Sequence, residues 1–280
     1  VQLWQAVVLG IVEGLTEFLP VSSTGHLTIV EKLLGLRVDD AGTTAFTAII
    51  QFGAIVAVIW FFRRDIARLF LAWVHGLRDA AERGTDYRLA WCVVVGSIPV
   101  GIVGFLAKDV VAGPLRSLWV VAFALIGWSA VMVAAETYAA RRARQRGEGE
   151  VSLKDALAIG VVQCLSLVPG VSRSGATISS GLFRGLDRVT ATRLSFFMSI
   201  PALTAAGLYE GVSAGNDVSR TVGWGATAVG TLVSLVVAYA SIAWLLRFVA
   251  HHRISVFAGY RVGLGVVLIA LLGTGVLSAV

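Results

Sequence analysis

The stretch Glu13-Gly14-Leu15-Thr16-Glu17-Phe18-Leu19-Pro20-Val21-Ser22-Ser23-Thr24-Gly25-His26 breaks into an apolar run that begins at Leu3. Residues 3–12 carry no charge but are too few to cross a bilayer, which takes about 20 helical residues. Glu13 and Glu17 are four apart and share one helix face. Pro20 ends that helix, because its ring and missing N–H block continuation. Ser22, Ser23 and Thr24 are then expected in a loop that offers hydroxyls and backbone N–H groups, with His26 opening the next segment. Two carboxylates and a histidine inside an apolar segment are costly to bury, so a functional site is the default reading; the alternative is an interfacial loop whose acids snorkel to water.

A second short apolar stretch, residues 156–170, stops at Pro169-Gly170. At a constant offset of 150, residues 10–28 lie over residues 160–178. Gly10/Gly160, Val12/Val162, Leu15/Leu165, Val21/Val171, Ser22/Ser172 and Gly25/Gly175 are identical, and Glu13 faces Gln163. Around these short segments lie six apolar runs of spanning or near-spanning length: 43–62, 89–107, 117–135, 194–209, 222–246 and 262–280. Each half, 1–145 and 151–280, thus contains one broken segment followed by three spans. Three is odd, so the second half enters the membrane from the opposite face, giving an inverted repeat. The fold expected is all-α: a single polytopic membrane domain with six transmembrane helices and two re-entrant broken segments.

Composition agrees. Of the 280 residues 57% are apolar and 14% charged, with mean hydropathy +0.83, against roughly 25% charged in a soluble domain. The net charge of +6 is no nucleic-acid patch, because the basic residues cluster between apolar runs. Arg63, Arg64, Arg68, Arg78, Arg83 and Arg88 fall in 63–88; Arg141, Arg142, Arg144, Arg146 and Lys154 in 136–155; three more arginines in 184–193. The alternate loops hold only Lys108 and Arg116, or Arg220. The positive-inside rule puts the arginine-rich loops in the cytoplasm and both termini outside. Residues 1–12 have no basic n-region and do not read as a signal peptide. Cys92 and Cys164 form no disulfide framework and no metal spacing. Arg261 is read as opening the last span and snorkelling to the interface, and Glu210 as interfacial.

The second copy reads Pro169-Gly170-Val171-Ser172-Arg173-Ser174-Gly175-Ala176-Thr177. It lacks the acids and gains Arg173 opposite Ser23. Arginine presents a planar fork of donors that matches phosphate or carboxylate. Ser22, Thr24, Ser172, Ser174 and Thr177 are the candidates to bind a phosphate beside it. The alternative use of Arg173 is to neutralise Glu17 as a structural ion pair. Glu13 and Glu17 are the candidate ligands of a divalent cation, Mg²⁺ or Ca²⁺, through oxygen. Ser23 is the candidate nucleophile, activated by His26 or Glu17; Ser22, a water and a phosphorylated His26 stay open for that role.

The motif at 13–26, with Pro-Gly-x-Ser-Arg-Ser-Gly-Ala-Thr at 169–177, resembles the two signatures of undecaprenyl-pyrophosphate phosphatases of the bacitracin-resistance type. Arg193-Leu-Ser-Phe-Phe-Met-Ser-Ile-Pro201-Ala is similar to a further segment of that family. The resemblance implies a membrane hydrolase that converts undecaprenyl pyrophosphate to the monophosphate carrier for cell-wall synthesis, and that needs a divalent cation. It implies as partners the polyprenyl pyrophosphate and the bilayer, with no nucleic acid and with a homodimer left open. The location implied is the bacterial inner membrane; the topology read from the arginines opens the active site to the outer face, where the family's substrate is released. The rival function is an inverted-repeat transporter or flippase of a phosphorylated lipid or anion. Ser23-Thr24-Gly25-His26 loosely matches the Ser-Gly-His element of the acid-phosphatase superfamily, but Ser179 stands where that family's later motif needs histidine.

Overall fold

The computed structural model describes residues 1–36, 41–107, 110–111, 115 and 117–279, with backbone alone at 41, 206 and 208–221. Lys108, Arg116 and the side chains of Glu210 and Arg220 lie outside the described residues. The chain is all-α, and no strand occurs among the described residues. In chain order the helices are α1 (Leu3–Thr16), α2 (Ser23–Leu33), α3 (Ala41–Phe61), α4 (Arg63–Arg78), α5 (Thr85–Leu106), α6 (Leu118–Ala140), α7 (Leu153–Gln163), α8 (Arg173–Phe183), α9 (Arg188–Thr221), α10 (Trp224–His251) and α11 (Val256–Gly273).

Five described helices have the length and apolarity to cross a membrane: α3, α5, α6, α10 and α11. The sixth expected span, 194–209, falls within α9, whose side chains are described only in part. The molecule is a polytopic membrane protein. Exposed Trp60 and Trp244 lie near the ends of α3 and α10, as side chains of an interfacial aromatic belt do.

Three expectations are corrected. Residues 63–88 hold helix α4 rather than a loop. Ile66, Leu69, Phe70 and Trp73 recur at helical spacing, and the helix packs on α5. The last span begins at Val256 and ends at Gly273. Arg261 therefore sits inside the helix, where it is fully buried (0% exposed) instead of snorkelling. Ser23 and Thr24 are not in a loop: Ser22 caps α2, and Ser23 is its first residue.

The two short helices pack on long helices of the opposite half: α1 lies along α10, and α7 along α5. Both contacts are backbone to backbone. A Cβ on Gly10 would come within 2.5 Å of the Gly230 carbonyl oxygen, and a Cβ on Gly160 would collide with that of Gly96. After α1 and α7 the chain turns at 17–21 and 168–172 before starting α2 and α8. These two turns meet in the interior. Gly170 N–H donates to Ser22 Oγ at 3.0 Å, and Ser174 Oγ donates to the Leu19 carbonyl at 2.9 Å. Phe18, Phe62, Phe196 and Phe197 make the core beside them through edge-to-face and tilted contacts.

Candidate active site

Ser22 and Ser172 occupy matching places, each the N-cap of a short helix, with φ of 78° and 75°. In each, the serine oxygen accepts the N–H three residues on, from Gly25 at 3.4 Å and Gly175 at 3.1 Å. In both copies the helix, α2 or α8, begins directly after this left-handed serine. The first residues of the two helices are Ser23 and Arg173.

Those two residues converge on one buried carboxylate. Arg173 Nη2 donates to Glu17 Oε1 at 3.0 Å, and Ser23 Oγ donates to Glu17 Oε2 at 2.6 Å. Gln51 Nε2 lies 3.5 Å from the same Oε2. The ion-paired side chains are 11% and 4% exposed for Arg173 and Glu17, so water screens the pair little. Arg173 Nη1 reaches the Ser195 carbonyl at 3.4 Å, its Nε has no partner, and its guanidinium lies over Phe18. Thr177 Oγ1 bonds Ser195 Oγ at 2.6 Å, which ties α8 to α9. The guanidinium thus holds donor capacity beyond what Glu17 takes. Two helix N-termini with orphan N–H groups add a favourable field for an anion at this point.

The remaining sequence candidates divide. Ser22, Ser172 and Ser174 are buried and spend their hydroxyls on the turns themselves. Thr24 is exposed, one residue beyond Ser23. His26 bonds the Ser22 carbonyl through Nδ1 and Tyr260 Oη through Nε2, both at 2.7 Å, and stacks on the Tyr260 ring. Its hydrogen bonds go to those two partners, while Ser23 is bonded to Glu17. Glu13 is buried (1% exposed), one helical turn before Glu17, and its Oε1 has no partner. No cluster of three or more His, Cys, Asp or Glu side chains forms a metal site among the described residues. The unpartnered Glu13 oxygen nevertheless fits a hard cation that draws its other ligands from Glu17, phosphate oxygens and water, as Mg²⁺ does.

Sequence reasoning gave no role to Gln51, Ser195 or Tyr260 and read Arg261 as interfacial. Two of these left a signal: Ser195 lies in the quoted segment 193–202, and Arg261 is an arginine within reach of an apolar run.

A family model described as bacitracin resistance protein BacA matches residues 6–267. The chain belongs to the BacA family. Similar relatives cover the chain end to end. It is 56% identical over 276 residues to a Frankia casuarinae protein named undecaprenyl-diphosphatase 3, with 98% of each chain aligned. It is 55% identical over 282 residues to an undecaprenyl-diphosphatase of Cutibacterium acnes, again with 98% of each aligned. Undecaprenyl-diphosphatase 1 of Streptomyces coelicolor is 56% identical over 282 residues, covering 100% of this chain and 99% of its own. In this BacA-family chain both broken turns and all the candidate residues fall within the matched region.

Proposed function

We propose that this BacA-family protein is an integral membrane phosphatase that hydrolyses undecaprenyl pyrophosphate to undecaprenyl phosphate and inorganic phosphate, which recycles the lipid carrier for cell-wall synthesis. The observation that carries the reading is the convergence of Ser23 and Arg173, each the first residue of a helix, on the two oxygens of Glu17. A hydroxyl bonded to a buried carboxylate and flanked by a guanidinium is a nucleophile with its base and its phosphate clamp. The relatives' names agree.

In this reading Ser23 Oγ attacks the terminal phosphorus while its proton passes to Glu17. The bond from phosphorus to the bridging oxygen breaks, and the prenyl monophosphate leaves with the electron pair. Water then attacks the phosphoserine, and the proton on Glu17 returns to Ser23 as phosphate departs. The leaving group is a phosphate monoester with a second pKa near 6, so no strong general acid is required. Arg173 uses its spare donors on the non-bridging oxygens, where charge develops. Glu13 and Glu17 would hold the divalent cation, Mg²⁺ or Ca²⁺, whose chemistry is to neutralise phosphate charge. His26, held by Ser22 and Tyr260, lines the same turn.

The halves 1–145 and 151–280 are read as inverted repeats. The matched Ser22 and Ser172 caps support this, as do the matched Gly10 and Gly160 contacts on opposite halves. With the arginine-rich loops in the cytoplasm of a bacterial inner membrane, the first broken segment opens outward and the headgroup is reached from the outer leaflet.

The test is phosphate release from purified protein in detergent, where no compartment exists and a transporter has nothing to do. Undecaprenyl pyrophosphate should yield phosphate, and chelation should lower the rate. Arg173→Lys keeps a charge for Glu17 but loses the fork, so kcat should drop by about 10²–10³. A wild type that releases no phosphate, or a lysine variant with normal kcat, defeats the assignment.

A further inference from the structure

Arg261 heads the fully buried side chains of the described residues by volume, and the reaction above makes no use of it. Its Nη1 donates to the Pro20 carbonyl at 3.0 Å. Its Nη2 donates to the carbonyls of Gly170 at 2.8 Å and Val171 at 3.1 Å, and its Nε to Ser129 Oγ at 3.2 Å. None of these partners is a carboxylate. A cation buried among neutral partners is expensive, so its retention calls for a return elsewhere in the molecule.

The return lies in which carbonyls it holds. Pro20 precedes Ser23 by three residues, and Val171 precedes Arg173 by two. Between carbonyl and helix start stand Ser22 and Ser172, at φ of 78° and 75°. A non-glycine residue in that region costs about 1–3 kcal/mol and persists only where its surroundings over-determine it. One rigid planar fork that grips both turns supplies that constraint, and Ser129 on α6 fixes the plane of the fork. A lysine keeps three donors but gathers them on one nitrogen, so it lacks the planar fork that spans Pro20, the 170–171 turn and Ser129 together.

We propose that Arg261 is a positioning residue for the phosphatase reaction: it locks the two turns against each other, so that Ser23 and Arg173 start their helices facing the two oxygens of Glu17. This rests on the phosphatase reading. Arg261 touches no reacting atom; it acts through the carbonyls on which the two helix starts are built.

The experiment measures kcat and KM on undecaprenyl pyrophosphate, and detergent melting, for wild type, Arg261→Lys and Arg261→Met, with kcat expressed per folded protein. Misplacing a reacting group by about 1 Å costs about 10²-fold in rate. Both variants should therefore lose kcat on that order at nearly unchanged KM, with lysine recovering little of the loss. A purely structural role would lower melting and the folded fraction and leave kcat per folded protein intact, and that result overturns the proposal. Should neither variant fold, Ser129→Ala decides. It frees only the Nε contact, and several-fold lower kcat at unchanged KM supports positioning, whereas unchanged kcat overturns it. A wild type without phosphate release sinks the phosphatase reading and this inference with it; an active wild type with active Arg261 variants sinks this inference alone.

Discussion

Ser22 and Ser23 are adjacent in sequence, yet their hydroxyls have different work. Ser22 Oγ accepts the Gly170 and Gly25 N–H groups inside the turn, whereas Ser23 Oγ points its proton at Glu17. Ser22→Ala removes a cap worth about 0.5–2 kcal/mol and leaves a buried N–H unpaired at about 1–3 kcal/mol. Its melting temperature should fall clearly. Ser23→Ala removes no turn contact, so its melting should match wild type while phosphate release drops by about 10²-fold or more. The same two assays on both variants check this; swapped outcomes would move the nucleophile to Ser22. The distinction was only partly legible in Ser22-Ser23-Thr24, where Ser23 is the candidate nucleophile but Ser22 stays open for the same role. It depends on a positive φ at a serine, which no side-chain pattern announces. Arg173 and Glu17 were legible, because an arginine and an acid at matched breaks in apolar segments have few other uses.

At the scale of elements, the short helices are placed by backbone contact rather than by large side chains. Gly160 on α7 faces the Gly96 carbonyl of α5, and overpacking of this kind costs about 1–3 kcal/mol. Gly160→Ala should lower the melting temperature, while Gly127→Ala, with open space around it, should not; equal melting of the two would show that α7 can shift freely. The start of α7 is held by charge. Burial disfavours ionisation of Asp155, but hydrogen bonds from Arg146, Ser152 and Arg184 outweigh it and hold the carboxyl well below the ordinary range. A depressed carboxyl stabilises the fold above its unfolded pKa of about 3.9, and that stabilisation fades as pH falls toward the folded value. The melting difference between wild type and Asp155→Asn should therefore be flat from neutral pH down to about 5 and shrink below about 4. A difference that vanished already at pH 6 would point to another group. Helix α4 was hidden in the sequence by its arginines, which read as a loop although the Ile66, Leu69, Phe70 and Trp73 spacing was present. Arg261 was misplaced for a related reason: counting only uncharged residues started the last span after it, six residues late.

Across the whole molecule, charged residues of the arginine-rich segments pair with acids in several separate groups. Arg193 joins Asp65 at 2.9 Å and Glu148 at 2.6 Å, and Arg68 joins Asp65, Asp86 and Glu148. Arg188 grips Glu136, which also accepts the Ile254 N–H, and Arg146 and Arg184 share Asp155. Segments 63–88, 136–155 and 184–193, far apart in sequence, thus meet through ion pairs, which agrees with the expectation that they share one face of the membrane. Their pairing with acids does not weaken the topological inference, because orientation follows the count of lysine and arginine rather than net charge. The expected orientation has these loops in the cytoplasm and the C-terminal end outside. In a background with Cys92→Ala and Cys164→Ala, single cysteines at two exposed sites, Ala80→Cys in the turn after α4 and Val276→Cys beyond α11, report the two faces. A membrane-impermeant thiol reagent should label position 276 in intact cells and reach position 80 only after permeabilisation. The opposite pattern would invert the molecule and turn the first broken segment, with Glu17 and Ser23, toward the cytoplasm. A phosphatase in that orientation would have to draw its lipid from the inner leaflet.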